Sequence, residues 1–401
     1  MAATCSALLA PAASAAAPTP PLDALRQAQQ QLHTLAAGAA TPTARRLLTS
    51  ASDALGRATV RTLWVDPRDA VVPSYGHTVF AASRTALTAL EPLLASPKPP
   101  GGISAPEALI LGADRRLAEG LIRQAAGGRG LLARANGMVL SGDRWAATSR
   151  VDLAAEQYGA AWLDAFDALT PLVVVPATNV PPAPLGNAAE SALATHAISL
   201  GSVRATPNRP PLTQAGKPEV LFVGRETCAR CAIESWGVVV ALSQFGFFSN
   251  LHLSQSAVTV RPLVRGFTFH GSRYESPYVS FAPVELSSDV PAPGGGYEPL
   301  ERLTPAQKSL ETALDPHSEL PFLDIADRAA VVGSPAPPSV ANGLPWKQLA
   351  LSLHGPQTAS SQAIAGTAEA LTAEICQATG GNPTAVCGAA VVKDYESALG
   401  S

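Results

Sequence analysis

A buried strand that runs into a C-x-x-C pair and then into an amphipathic helix leaves this chain few folds to choose from. The strand is Glu219-Val220-Leu221-Phe222-Val223-Gly224, a continuous apolar and β-favouring run of the kind found at the centre of a covered sheet. Arg225-Glu226-Thr227-Cys228-Ala229-Arg230-Cys231 follows, and Ile233, Trp236 and Val240 then fall on one helical face. Two cysteines at such a junction have the spacing of a redox dithiol. The attacking species in thiol–disulfide exchange is a thiolate, and a helix N-terminus stabilises one with unpaired N–H groups and partial positive charge. Cys228 is therefore the expected nucleophile, and Cys231, less than a turn further on, the resolving thiol. Arg225 and Arg230 favour the thiolate, and Glu226 opposes it. Glu234 has two readings, a proton relay to the second thiol or a solvated position on the helix.

The rest of the C-terminal half extends the pattern. Strands are expected at 266–270 and 278–284, a helix at 304–314 with Thr304 as its cap and Pro305 in its first turn, and a strand pair at 321–325 and 328–332. Helices follow at 346–353 and 358–377, the second aligning Ile364, Ala368, Leu371 and Ile375. The resulting order is strand, helix, strand, helix, strand, strand, helix, which is the order of a thioredoxin core. Glu319-Leu320-Pro321-Phe322-Leu323-Asp324-Ile325 resembles the loop where that superfamily places a cis-proline facing the dithiol, whose backbone would line up a substrate peptide as an added strand. Leu320 and Pro321 are the expected substrate-binding residues, with Pro277 as the rival proline. Cys376 and Cys387 flank a turn and are expected to form a structural disulfide, contributing about 3 kcal/mol in the chain-entropy view. A second redox pair and two free thiols are the alternatives.

The N-terminal part reads differently. Apolar residues recur at helical spacing from Asp23, over 45–63, 78–94 and 105–126, and over 152–169, where Pro171 is expected to stop the helix. Four or five antiparallel helices make an all-α bundle. Gly127-Gly128-Arg129-Gly130 lacks the strand and lysine of a phosphate loop and reads as a turn. Prolines recur over 176–184 and 207–218 around a short helix near 188–199. The expected organisation is a tail or atypical signal segment at 1–21, a helical bundle at 22–175, a Pro-rich linker at 176–215 and the α/β domain with a helical extension at 216–395.

Composition excludes several classes. A net charge of −3 with no basic block argues against a nucleic-acid surface. No uninterrupted apolar run of about 18 residues appears, so no stable membrane span is expected. Ser14-Ala15-Ala16-Ala17 resembles the small-residue end of an export signal, and Cys5 fits a lipid-modified cysteine poorly. The five cysteines, four of them in two local pairs, point to an extracellular or cell-envelope location, with the cytoplasm as alternative. Zinc needs four ligands, and no second C-x-x-C or spaced histidine pair accompanies Cys228 and Cys231, since His252 and His270 stand alone. No metal or other cofactor is called for, because the dithiol carries the electrons itself.

Several segments together resemble a prokaryotic thioredoxin-like family, the domain of unknown function 929. They are the stretch from Pro218 to Cys231 with Trp236 and Leu242-Ser243-Gln244-Phe245-Gly246, then Phe267-Thr268-Phe269-His270-Gly271 and Ser276-Pro277-Tyr278-Val279-Ser280-Phe281. Ile364-Ala365-Gly366-Thr367-Ala368, Thr372-Ala373-Glu374-Ile375-Cys376 and Val386-Cys387 continue it, so that the resemblance spans about 216–390. The wider superfamily implies disulfide oxidoreductase chemistry on protein thiols or disulfides, with a redox partner that recycles the dithiol. Thr227 stands where a tryptophan often precedes the first cysteine, and Ala229-Arg230 replaces a Gly-Pro pair. The expectation is thus a thiol–disulfide oxidoreductase, with a non-catalytic binding or scaffold protein on the same fold as the alternative.

Overall fold

The computed structural model describes residues 19–65, 70–72, 75–125, 129–206, 209–257, 261–292 and 296–400. The readings of Cys5, of the export-like segment up to residue 18 and of Gly127-Gly128 lie outside these residues.

An all-α region comes first. It contains α1 (Pro21–Ala37), α2 (Pro42–Ala58), α3 (Gly76–Leu94), α4 (Ser104–Gln124), α5 (Arg129–Ala147), α6 (Val151–Thr178) and α7 (Pro182–Thr195). Leucine and alanine stripes drive the packing: Leu22, Leu25 and Leu32 of α1 and Leu48, Ala51 and Leu55 of α2 are fully buried. Two sequence expectations need correction. Helix α5 occupies a stretch given no helix, where Gly137 and Gly142 and scattered polar residues blur the periodicity. Gly142 is required there, because a Cβ would lie 2.5 Å from the Tyr158 ring. Pro171 does not stop α6, which continues through it and Pro176. A proline inside a helix removes one hydrogen bond, and the turns beyond it bury Val173 and Ala177, while α6 packs on α10 (Trp346–Ser352). By length and apolar composition α6 is also able to cross a membrane, yet 44% of that window is buried inside the fold.

The mixed α/β region is built on one sheet. Its centre is β3 (Lys217–Gly224), preceded by the short strands β1 (Val203–Ala205) and β2 (Thr213–Gln214) and followed by α8 (Ala229–Ser243). An insertion of β4 (Phe247–Ser249), β5 (His252–Gln255), β6 (Arg265–Thr268) and β7 (Arg273–Glu275) leads to β8 (Ser280–Glu285). After β9 (Ser287–Pro291), β10 (Tyr297–Pro299) and α9 (Pro305–Leu314) come β11 (Phe322–Ile325) and β12 (Ala329–Val332). The chain closes with α10, α11 (Ala359–Ala378), α12 (Thr384–Cys387) and α13 (Ala390–Leu399). Strand β8 lies parallel to β3 on one side, β11 antiparallel on the other, and β12 and β1 extend the sheet beyond β11. This mixed, partly parallel sheet behind an all-α region has a thioredoxin-like architecture. Thr304 caps α9 through a reciprocal box with Gln307. The strand expected at 266–270 belongs instead to a separate ladder, β5 with β6, so the helix after the dithiol and the parallel strand are separated by an inserted subdomain.

Helix α8 is wedged between layers. A Cβ on Gly237 would lie 2.5 Å from Thr367 of α11, and one on Gly266 of β6 would lie 2.5 Å from the Ala232 carbonyl oxygen. The Trp236 indole N–H donates to the Arg265 carbonyl at 2.7 Å, tying α8 to β6. Helix α7, in the stretch expected as a linker, packs on α11. The α-helical region also comes near the loop after β3 and the β9–β10 hairpin: Tyr75 is buried, which drives its phenol pKa upward, and Asp289, Tyr297 and Glu226 add to that rise.

Candidate active site

Cys228 occupies the N-cap of α8, with extended backbone angles (φ −87°, ψ 121°) that end the β3 approach and start the helix. The Cys231 N–H donates to Cys228 Sγ at 3.0 Å, and Cys228 and Cys231 are joined in a disulfide with Cα atoms 5.1 Å apart. Cys228 is half-buried, whereas Cys231 is 3% exposed, so only the first sulfur is open to a partner. An N-cap side chain that accepts a backbone N–H stabilises negative charge on itself.

Strand register brings the proline loop to the dithiol. Phe322 pairs with Val223, so Leu320 and Pro321 fall level with the loop that leaves β3. The Leu320–Pro321 peptide is cis, whereas Pro277 follows a trans bond. Cys228 Sγ lies 3.8 Å from the Leu320 carbonyl oxygen. The Pro321 carbonyl accepts the Gly333 N–H at 2.9 Å, which fixes the loop against the end of β12.

The charges around the pair differ in part from expectation. Arg230 is half-exposed and forms an ion pair with Glu319 at 3.2 Å across the rim. Arg225 is exposed, and its carbonyl accepts the Cys228 N–H at 3.1 Å. Glu226 accepts the Asp289 N–H at 2.9 Å. Glu234 is not on a solvated face: it is fully buried, and the Ser334 hydroxyl donates to Oε2 at 2.6 Å while Oε1 has no partner. Burial pushes its carboxyl up to about 8, against the lowering effect of Ser334. Glu234 stands one helical turn after Cys231, the separation at which helical side chains are neighbours.

Sequence reasoning missed a second buried acid. Glu285 ends β8 and pairs in register with Gly224. It is 2% exposed, and burial, reinforced by the charges of Glu226 and Glu301, pushes it up to about 8. Its signal was a carboxylate at the C-terminal end of the strand parallel to the dithiol strand, where an apolar residue is the norm.

Cys376 and Cys387 form a disulfide with Cα atoms 5.5 Å apart, joining the end of α11 to α12, and both are buried away from solvent. His270 is engaged by Glu301, its Nδ1 2.7 Å from the carboxylate. Among the described residues, three or more His, Cys, Asp or Glu side chains nowhere gather to hold a metal.

No curated protein and no solved structure matches the chain. One family does match: residues 206–291, which span β2 to β9 and include both cysteines of the dithiol but stop short of Pro321, Cys376 and Cys387, match the family described as Domain of unknown function (DUF929).

Proposed function

We propose that this protein is a thiol–disulfide oxidoreductase that acts on protein thiols or disulfides. The observation that carries the reading is Cys228 Sγ, which caps α8, accepts the Cys231 N–H and sits 3.8 Å from the Leu320 carbonyl. With the dithiol reduced, the Cys228 thiolate attacks one sulfur of a substrate disulfide and expels the other as a thiolate. Cys231, losing its proton, then attacks Cys228 Sγ, breaks the mixed disulfide and releases the second substrate thiolate. Two electrons pass from the protein to the substrate, and the protein ends in the disulfide form. Run backward, the same steps oxidise a substrate dithiol. Glu234, one helical turn after Cys231, is the candidate, when its carboxyl is ionised, to take the proton that Cys231 gives up: burial raises that carboxyl to about 8, and one oxygen has no partner. The Leu320 N–H, which takes no backbone partner among the described residues, and the neighbouring carbonyl offer an edge for an extended substrate segment.

The reading extends to an oxidising compartment, extracellular or in the cell envelope, and to a separate redox partner that resets the dithiol. The buried Cys376–Cys387 disulfide, outside the catalytic pair, supports it. Mass spectrometry of the protein from its source, trapped with an alkylating agent at lysis, is expected to find Cys376 joined to Cys387. A reduced pair there contradicts that location.

Insulin reduction in dithiothreitol tests the activity. The wild type is expected to accelerate precipitation of the freed chain, and Cys228→Ser to return it to the uncatalysed rate. Equal rates with and without the wild type leave a non-catalytic role for the fold.

A further inference from the structure

We propose that the groove running away from the dithiol beside Leu320 is a subsite for acidic peptide segments, with Arg225 and Arg302 as its cationic contacts. The proposal rests on the redox reading above and names its substrate class. A cavity of about 370 Å³ opens between the loop after β3, the β10–α9 connection and the loop that carries Leu320. Leu286, Pro299, Leu303 and Leu320 form its apolar walls. Leu320 lines this cavity and also presents its carbonyl to Cys228 Sγ, so a substrate that brings a sulfur to Cys228 lays its flanking residues along the groove.

The charges lining the groove do not cancel. Glu301 is occupied, one oxygen by His270 Nδ1 at 2.7 Å and the other by the Glu285 N–H at 2.9 Å. Glu311 is 2% exposed and holds Lys308 in an ion pair, and Lys308 also donates to Ser318. Arg225 and Arg302 remain, both exposed on the groove and neither paired with a carboxylate among the described residues. Arg230, which does not line the groove, is paired with Glu319 at 3.2 Å. Two unpaired guanidinium groups over an apolar wall attract a segment that mixes carboxylates with apolar side chains, and they repel a basic one. The groove thus biases which disulfide reaches Cys228 without changing the exchange chemistry.

The test uses the full chain with Cys228 and Cys231 reduced, in a single turnover. The substrates are three peptide dimers, each joined by one disulfide, whose cysteine is flanked by leucine with glutamate, glutamine or lysine. Each rate is divided by that of the same peptide with dithiothreitol, which removes the effect of flanking charge on the intrinsic reactivity of the sulfur. At low salt the glutamate peptide is expected to exceed the lysine peptide by about tenfold, an effect of the size electrostatic steering gives, and the preference to shrink in high salt. The ratio is expected to fall to near one in Arg225→Gln/Arg302→Gln. Equal normalised rates for the glutamate and lysine peptides, with the glutamine peptide reduced by the wild type, overturn the subsite and leave the oxidoreductase standing. A preference that survives in the double variant also overturns it. Reaction of none of the three peptides overturns both the subsite and the redox reading.

Discussion

Ser334 donates its hydroxyl hydrogen to Glu234 at 2.6 Å, from a loop that arrives a hundred residues later in the chain and seals the carboxyl under the first turns of α8. The same loop begins at Gly333, whose N–H holds the Pro321 carbonyl. One short segment therefore fixes both the proline loop in front of the dithiol and the acid behind it. If Glu234 takes the proton of Cys231, Glu234→Gln keeps the Ser334 contact and removes the proton acceptor. The variant is expected to slow release of the second substrate thiol by about a hundredfold, the low end of general acid–base effects. The first attack by Cys228 is expected to change little. Stopped-flow measurement of the two steps checks this, and the wild-type release step should show an inflection near 8 that the variant lacks, the variant rising only as the Cys231 thiol itself ionises. An unaltered release rate contradicts the relay.

Buried acids also set how stability responds to pH. Burial raises Glu234 and Glu285 to about 8, and Asp324 and Glu369 to about 7, from ordinary values of 4.5 for glutamate and 3.8 for aspartate. Each binds its proton more tightly folded than unfolded. The stability each contributes is complete below its unfolded pKa and is lost as pH rises through the folded value. Thermal unfolding is therefore expected at a lower temperature at pH 8.5 than at pH 5.5, with a loss of about 1.4 kcal/mol per pH unit for each group that titrates. Melting curves across this range check it, and a rising melting temperature contradicts it.

Close packing around the first turns of α8 gives a third expectation. A Cβ on Gly266 meets the Ala232 carbonyl oxygen at 2.5 Å and Ser235 Oγ at 2.7 Å. Backbone cannot give way as a side chain does, so Gly266→Ala is expected to cost about 1–3 kcal/mol and to displace the turn that follows Cys231. Urea denaturation gives the first number, and the reduction potential of the dithiol reports the second. An unchanged midpoint and potential contradict the wedge.

The disulfide between Cys376 and Cys387 joins the end of α11 to α12, and both cysteines are buried. Replacing both by alanine is expected to lower stability by about 3 kcal/mol, the chain-entropy value for a loop of this size, while insulin reduction continues. Loss of turnover in a folded double variant contradicts a purely structural role.

Local features were the legible ones. The junction from β3 into α8 is written in consecutive residues, as are the Thr304 cap of α9 and the Pro321 loop before β11. What escaped depends on distant parts of the chain. Glu234 looks like any helical glutamate until the Ser334 loop and the layers beside α8 cover it. Helix α6 outlasts Pro171 because α10, far along the chain, covers its later turns. Helix α5 was hidden by Gly142, whose role is to let Tyr158 approach. The ladder of β5 and β6 has strand composition, but nothing in the sequence says that it leaves the central sheet.

A stabilised Cys228 thiolate at the start of α8 is what the exchange chemistry requires, and the pH dependence of its alkylation tests this most directly. With the dithiol reduced and the modified residue identified by mass spectrometry, the rate at Cys228 is expected to rise through an inflection well below about 8.5, the value of a free cysteine, with Cys231 protected. An inflection at or above that value, or faster labelling at Cys231, contradicts it.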